Sequence, residues 1–439
     1  MIFKRMREQI LDKAIRGQLV PQLAEDGVVE QIGEAPAEVP FEIPQSWKWG
    51  TLENYVTINP STSKLDDNTE VSFLPMASVY PGFVSKFDRE ESKLWVNAKK
   101  GFSKFANGDV LLAKISPCFE NRKSCIVHNL INGFGAGSTE LIAMRPTELI
   151  YANYLLWYVK TKYVIDYCSI TFKGTVGQQR INPDRFKSMP IPVPPLAEQK
   201  RIASKIESLF GEIDCAEKAY EELQSLANVL KSQILQKAIQ GKLVPQLPED
   251  GIVDQICEAP AEVPFGIPDS WKWQTLESLS IKIGDGLHGT PEYVEDSCYF
   301  FINGNNLRDG QIVVDEKTKR ISFDTYQRLH VDLDSSTLLL SINGTIGSTA
   351  FYNDEKVALG KSACYINLGL DLDKHFLNLV VKSKYFEEFA KNKSTGTTIR
   401  NLGLKAIRSW YIPLPPLAEQ KRIVAKVEAL FEQIDLMIK

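Results

Sequence analysis

The chain has 439 residues, of which 44% are apolar and 24% charged, and a formal net charge of −4. That length admits two to four domains, and the composition is that of an ordinary globular protein rather than a disordered or fibrous one. No apolar run approaches the ~20 residues of a membrane-spanning helix. The stretch MIFKRMREQILDKAIRGQ has no apolar core or small-residue cleavage site of a secretory signal, so a cytoplasmic location is expected.

Seven cysteines lie scattered at Cys118, Cys125, Cys168, Cys215, Cys257, Cys298 and Cys364, with no C-x-x-C pair and four histidines in the chain. The odd count and wide spacing argue against a disulfide framework or a zinc site. Reduced structural thiols are expected.

In chain order, an amphipathic N-terminal stretch ends in ILDKAIRGQLVPQ from Ile10 and leads into an acidic, proline-rich tail closing on SWKW. Residues 50–190 follow as a mixed insert. Within it GDVLLAKIS (Gly108–Ser116) and TELIAM (Thr139–Met144) read as buried strands, and NYLLWYVKT as a helix. Next come Ile202, Ile206, Leu209, Ile213, Ala216, Tyr220, Leu223, Ala227, Leu230 and Ile234, spaced alternately by four and three residues. This 3.5-residue period is that of a coiled-coil seam. Pro194 and Pro195 precede the helix, Glu198 sits in its first turn and Gly241 follows its end. A helix with such a stripe needs a partner. Phe3, Met6 and Ile10 continue the seam near the N-terminus, as do Ile423, Val427, Leu430, Ile434 and Met437 near the C-terminus. Two long helical elements packed as a rigid spacer are the expected product.

The chain then starts again. ILQKAIQGKLVPQ from Ile234, with the tail that follows to SWKW, repeats the segment from Ile10 at an offset of 224 residues. IPLPPLAEQKRIVAKVEALFEQID from Ile412 repeats IPVPPLAEQKRIASKIESLFGEID from Ile191 at an offset of 221. The inserts between these frames barely resemble each other in sequence. The second, residues 275–411, nevertheless has the same order of elements: strands in TLLLSINGTIGS (Thr337–Ser348) and SACYINL (Ser362–Leu368), then helix in FLNLVVKSKYFEEFAK. Repeated frames with divergent inserts imply one scaffold carrying two different readers. Lys439 maps onto Lys218 and Met1 onto Ser225, so the two chain ends stand for one helical region. Two half-units related by a pseudo-two-fold are the simplest geometry. Trp47, Trp49, Trp271 and Trp273 at the ends of the tails are expected to pack in cores.

Charge is unevenly distributed. Residues 50–190 hold 17 Lys/Arg against 13 Asp/Glu, residues 275–411 hold 16 against 17, and the frames hold 18 against 25. A polyanion should therefore meet the inserts, and the acidic frames should face protein. Each insert ends in a Gly-Thr loop, FKGTVGQQR and KSTGTTIR. In the first, Lys173, Thr175, Gln178, Gln179 and Arg180 combine side chains suited to base edges with others suited to phosphates. Lys393, Thr397, Thr398 and Arg400 do so in the second. Lys114 and Arg122 add to the first candidate set; His288, Thr290, Asn303, Asn305, Arg308, Asn343, Thr345 and Lys361 add to the second. A solvated loop, or amides capping turns, is the competing reading.

Motifs for chemistry are missing. GFGAG (Gly133–Gly137) lacks the βαβ context of a dinucleotide loop. Asn59-Pro60-Ser61 and Asn182-Pro183-Asp184 lack the aromatic residue of an amino-methyltransferase site, and no Walker loop, H-E-x-x-H or nucleophile elbow occurs.

PPLAEQKRI after an extended I-P-x-P run, the ILxKAIxGxLVPQ helix end and the IPxSWKW lead into each insert, all occurring twice in order, resemble the specificity subunits of type I restriction–modification systems. The resemblance covers essentially the whole chain. It implies an α+β fold: two globular α/β target-recognition domains separated by long antiparallel coiled-coil helices, with a pseudo-two-fold internal repeat. The segments would be a distal repeat region from 1–49 and 412–439, recognition domains at 50–190 and 275–411, and a central repeat region at 191–274. It also implies a non-catalytic chain that binds double-stranded DNA, two N6-adenine methyltransferase subunits and, in the full complex, restriction/translocase subunits. No cofactor is expected in this chain, with S-adenosylmethionine, ATP and magnesium in the partners. The stretch at His288, Thr290 and Pro291 looks like the opening motif of one class of recognition domain, which the first insert lacks. Two readers on one spacer would recognise an asymmetric, bipartite target, whose adenines must leave the stack to be methylated. A coiled-coil scaffold or assembly protein with protein-binding inserts is the alternative; a free-standing methyltransferase or nuclease is disfavoured by the missing motifs.

Overall fold

A computed structural model describes residues 2–61, 65–88, 91–175, 178–396 and 400–438. The chain divides into two compact units, Met1–Ala219 and Tyr220–Lys439. The frame segments do not stand apart from the inserts. Leu11 and Ile15 of the N-terminal helix, Trp47 of the tail, Tyr154 of the insert and Ile202 of the long helix share one core in the first unit. Ile239, Trp271, Phe376 and Ile423 share the corresponding core in the second.

Helix Ile2–Ile15 stops where Gly17 adopts φ +70° and Gln18 donates its N–H to the Lys13 carbonyl. A Cβ on Gly17 would fall 2.3 Å from Pro44 Cγ. The left-handed turn and the close approach both demand glycine. Gly241 repeats the arrangement against Pro268, at φ +69° and 2.4 Å, which explains the glycine in each GxLVPQ segment.

The two ends of each insert are zipped together. Lys48–Thr51 pairs antiparallel with Pro190–Val193, and Lys272–Thr275 with Tyr411–Leu414. A side-chain clasp then locks tail to helix. The buried Glu198 carboxylate accepts from Trp47 Nε1 at 2.9 Å and from Gln22 Nε2 at 2.9 Å. Gln199 donates to the carbonyls of Leu149 and Pro194 and accepts from the Tyr151 N–H. Arg201 forks onto Asp26, whose carboxyl is held below its usual range by those guanidinium hydrogen bonds. The second unit repeats each bond: Glu419 with Trp271 and Gln246, Gln420 with Asp371, Pro415 and Asp373, Arg422 with Asp250. The A-E-Q-K-R run is therefore a structural lock, and the tryptophans are core residues as expected, Trp47 and Trp271 each 2% exposed.

Each insert carries an all-antiparallel four-stranded sheet. In the first the order is Val56–Ile58, Leu141–Pro146, Val110–Ala113, Ser124–Ile126. In the second it is Ser280–Asp285, Ala363–Leu368, Thr337–Ser341, Thr349–Phe351. A second sheet contains one parallel pair in each case, Glu70–Leu74 with Phe134–Gly137 and Tyr299–Ile302 with Val357–Leu359. The two inserts thus share one fold. The helix expected in FLNLVVKSKYFEEFAK is two helices, Lys374–Val381 and Lys384–Lys393. The first insert breaks at the same place, between Ala152–Val159 and Lys162–Ser169, where Thr161 Oγ1 accepts from the Val164 N–H and caps the second helix.

Leu196–Ile239 is one 44-residue helix, roughly 66 Å long at 1.5 Å per residue. The N-terminal helix runs antiparallel to its first half: Arg7 pairs with Asp214 and Glu217, while Gln22 reaches Glu198. In the second unit helix Leu417–Met437 runs antiparallel to the other half, with Lys231 on Asp435 and Gln246 on Glu419. The heptad stripe is not uniformly covered. Ile202, Ile206, Ile213, Ala227 and Ile234 are buried, but Ala216, Tyr220, Leu223 and Leu230 are exposed. Paired helices of 14 and 21 residues are too short to line one of 44. Near its start the long helix packs on the insert body as well, Phe210 meeting Phe83 and Trp157 edge-on. In the N-terminal helix the buried positions are Arg7, Leu11, Ala14 and Ile15; of the expected seam residues, Phe3 and Ile10 pack partly buried against the same core and Met6 is exposed.

Candidate nucleic-acid interface

The Gly-Thr loops are held by the same backbone bonds in both inserts. In the first, Lys173 and Arg180 exchange N–H···O bonds at 3.1 and 2.8 Å, Ser116 donates to the Gln179 carbonyl and Ile181 to that of Lys114. In the second, Thr395 and Asn401 exchange bonds at 2.9 and 2.8 Å, Gly344 donates to the Arg400 carbonyl and Leu402 to that of Ile342. These pairings set the equivalence. Arg180 corresponds to Asn401, and Gln179 to Arg400. The offset of 221 residues between the following frame segments gives the same equivalence, Arg180 falling on Asn401. The candidate Thr397, with Thr398, lies outside the described residues.

On the first loop Lys173, Thr175, Gln178 and Arg180 are exposed and Gln179 is half-buried. Arg180 is engaged: Nε and Nη2 donate to the Glu140 carboxylate, Nη2 at 2.7 Å. Those hydrogen bonds hold the Glu140 carboxyl below its usual range, with the Arg180 and Lys114 charges adding to the effect. The half-buried Lys114 therefore belongs to this cluster. Glu140 was not a candidate: it sits 40 residues from Arg180, at the mouth of a strand.

Arg122 must be withdrawn from the candidate set. It is 7% exposed. Its Nε donates to the Lys160 carbonyl at 2.9 Å and its Nη2 to Glu8 at 2.7 Å, and its guanidinium lies over the Phe83 ring. Lys160, fully buried, donates from Nζ to the carbonyls of Gly82, Arg122 and Ser124. Burial pushes the Lys160 ammonium down to about 7. This is a polar knot inside the unit, with no face to offer a ligand.

In the second insert the structure gathers several candidates. His288, Asn343 and Lys361 line one cavity of about 350 Å³ with Asp285 and Asn401. His288 Nε2 lies 2.7 Å from Asp285 Oδ2, and the ring is 70% exposed. Arg308 and Arg400 line a larger groove of about 910 Å³ with Lys382 and Lys391, beside Asp309 and Glu387. Asn305 and Arg308 border a third hollow with Lys317 and Lys319. Thr290 is exposed. Thr345 is spent on the fold, its Oγ1 donating to the Gly304 carbonyl, whereas Asn303, whose Oδ1 accepts from Ser362 Oγ, also lines the third hollow. Asn401, Asp285, Lys382 and Lys391 went unnoticed in the sequence. Lys391 follows the pattern of an ordinary exposed helix lysine, and only the fold places it in one groove with Arg400.

Among the described residues no His/Cys/Asp/Glu group could hold a metal ion, and no helix is long and apolar enough to cross a membrane.

The family model for the type I restriction modification DNA specificity domain matches residues 44–225 and 299–439. That is more than half of the sequence, and the chain belongs to this family. Among curated relatives, the type I restriction enzyme EcoAI specificity subunit of Escherichia coli is 28% identical, over 98% of this chain and 89% of that protein. The EcoEI specificity subunit of the same organism is 25% identical over the same shares. Among solved structures, a chain from a study of complex assembly and conformational transition of the type I R-M system superimposes with a TM-score of 0.68 at 18% identity, covering 91% of this chain and 93% of that one. The HsdS subunit from Thermoanaerobacter tengcongensis gives 0.58 at 19%, covering 90% and 92%. At these identities the structural likenesses establish the fold.

Proposed function

We propose that this chain is the DNA sequence-specificity subunit of a type I restriction–modification complex, each insert reading one half of an asymmetric, bipartite target. One observation carries the reading: two bodies of one fold, closed by the same clasp, present different polar side chains at the same backbone positions of one loop, Gln179 and Arg180 against Arg400 and Asn401. A scaffold built only to bind two identical partners would have no use for that difference. The frames hold two N6-adenine methyltransferase subunits, and restriction/translocase subunits join the full complex. The chain itself performs no chemistry. S-adenosylmethionine, ATP and magnesium belong to the partners, in keeping with the missing catalytic motifs.

The test exchanges residues 50–190 for the insert of another family member and sequences the methylome of cells carrying the hybrid with its partners. One half-site should change and the other persist. A hybrid that alters both halves together, or a parent with no sequence preference, refutes the reading. Methyl transfer by the purified chain alone would refute its non-catalytic part.

A further inference from the structure

We infer that Arg180 reads a guanine in one half-site and that Glu140 is the positioning residue that aims it. This rests on the reading of the chain as a DNA specificity subunit.

The geometry of the pair is the starting point. Arg180 gives its Nε and Nη2 to Glu140, at 3.0 to 3.1 Å and 2.7 Å. The side edge of the guanidinium is thereby occupied. Its end edge, Nη1 with the second hydrogen of Nη2, keeps among the described residues only a contact of 3.5 Å to the Gln178 carbonyl. Two parallel N–H donors on one planar edge match the O6 and N7 acceptors that guanine presents in the major groove. An arginine clamped along its side has surrendered most of its rotamer freedom before DNA arrives, so less is lost on binding. The carboxylate also pairs with the guanidinium charge, so the unpaired positive charge of this cluster rests with Lys114 and Lys173.

The second insert serves as an internal control. Ser362 occupies the backbone place of Glu140: Ile342 donates to the Ser362 carbonyl as Lys114 donates to that of Glu140. The Ser362 hydroxyl turns away to Asn303, and Asn401 stands where Arg180 stands. The loop folds the same way without the ion pair, so the fold does not require it. Nor does stability: the Arg180 side chain is 46% exposed, and ion pairs this open add little. A carboxylate present only where arginine stands at this position of the loop is explained by what that arginine does.

The experiment uses the complex reconstituted with its methyltransferase subunits and a pool of duplexes randomised across the target, sequenced after retention. The wild type should demand a G·C pair at one position of one half-site. Arg180→Gln should lose roughly 10- to 100-fold of discrimination there and leave every other position intact. Arg180→Lys keeps the charge but lacks the fork, and should weaken the same position; it carries the test if Arg180→Gln does not assemble. Glu140→Gln should relax that position alone and add nothing on the Arg180→Gln background. Unchanged discrimination in Arg180→Gln or Glu140→Gln overturns the inference, as does a uniform loss of affinity with a shallower salt dependence, or an affected position that is not G·C. A wild-type complex without any sequence preference overturns the specificity reading itself.

Discussion

Glu198 is where the frame can be broken most cleanly. Its carboxylate is 1% exposed and accepts two hydrogen bonds, from Trp47 Nε1 and Gln22 Nε2, both at 2.9 Å. Glu198→Ala removes both acceptors at once. Hydrogen bonds to a charged group are worth about 1.5–3 kcal/mol each, and a buried indole N–H left without a partner bears its desolvation cost. Gln22 can turn to water, because it is less enclosed, so the second loss is smaller. The expected destabilisation is about 3–5 kcal/mol, a large fraction of the ~5–15 kcal/mol that holds a domain folded. Trp47→Phe deletes one of these bonds and part of the buried ring, and should cost about 2–4 kcal/mol. The two changes share one contact, so they should not add, and the double variant should fall short of the sum. Glu419→Ala is the matched control, since Glu419 makes the same two bonds to Trp271 and Gln246. Urea denaturation of the full chain, followed by tryptophan fluorescence and circular dichroism, measures all four. A loss below about 1 kcal/mol for both Glu198→Ala and Glu419→Ala would refute the clasp as a source of stability.

Arg122→Ala should destabilise the first unit by about 2–3 kcal/mol, through loss of the Glu8 and Lys160 contacts, and leave the methylated sequence unchanged; an altered half-site would return Arg122 to the DNA face. Asn401→Ala should relax one position of the half-site read by the second insert, and that position should be adenine, whose N6 and N7 suit a carboxamide; methylome sequencing with the first half-site as internal reference decides it. Lys160 predicts a pH dependence. Its folded value of about 7 lies below the unfolded value near 10.5, so between these limits the unfolded chain binds a proton that the folded chain does not. Stability should therefore rise with pH across that window, by up to about 1.4 kcal/mol per unit, and the penalty is fully present below about 7. Comparing wild type with Lys160→Met by urea midpoints between these limits should show this slope in the wild type alone; equal slopes refute it.

Much of this architecture is legible in the sequence because it is local or repeated. The offsets expose two units, the heptad spacing exposes the long helix, and the alternation of strand and helix segments exposes a shared insert fold. Long-range partners are what sequence order conceals. Arg122 sits in FENRKS, which has the composition of an exposed turn, and nothing nearby announces that Glu8, 114 residues away, closes on it. Glu140 and Arg180 are 40 residues apart and meet only because two backbone pairings place the loop beside the strand. The heptad stripe of the long helix misleads in another way. Periodicity reports which face is apolar, but the length of what covers that face is set by helices elsewhere in the chain. Tyr220, Leu223 and Leu230 keep the period and remain exposed.

The division between constant frame and variable insert follows from which atoms do the holding. The clasp is made by side chains: Glu198, Gln199, Arg201 and Trp47 each meet a specific partner, and Glu419, Gln420, Arg422 and Trp271 repeat them. Any substitution there leaves a buried group unpaired, so the frame must be written nearly identically twice. The Gly-Thr loops are held the other way. Their bonds run from backbone N–H to backbone carbonyl at Ser116, Arg180, Ile181, Gly344, Asn401 and Leu402. Every residue except proline supplies both groups. Apart from the positive-φ glycines Gly174 and Gly396, the loop therefore keeps its shape whatever its side chains are, and those side chains are free to differ. Gln179 and Arg180 can stand in one insert and Arg400 and Asn401 in the other without any change in the backbone that presents them. On the proposal that these loops read DNA, a protein that must acquire new targets while keeping its partners needs this separation, with specificity left to side chains the fold does not use and the frame to side chains it cannot lose.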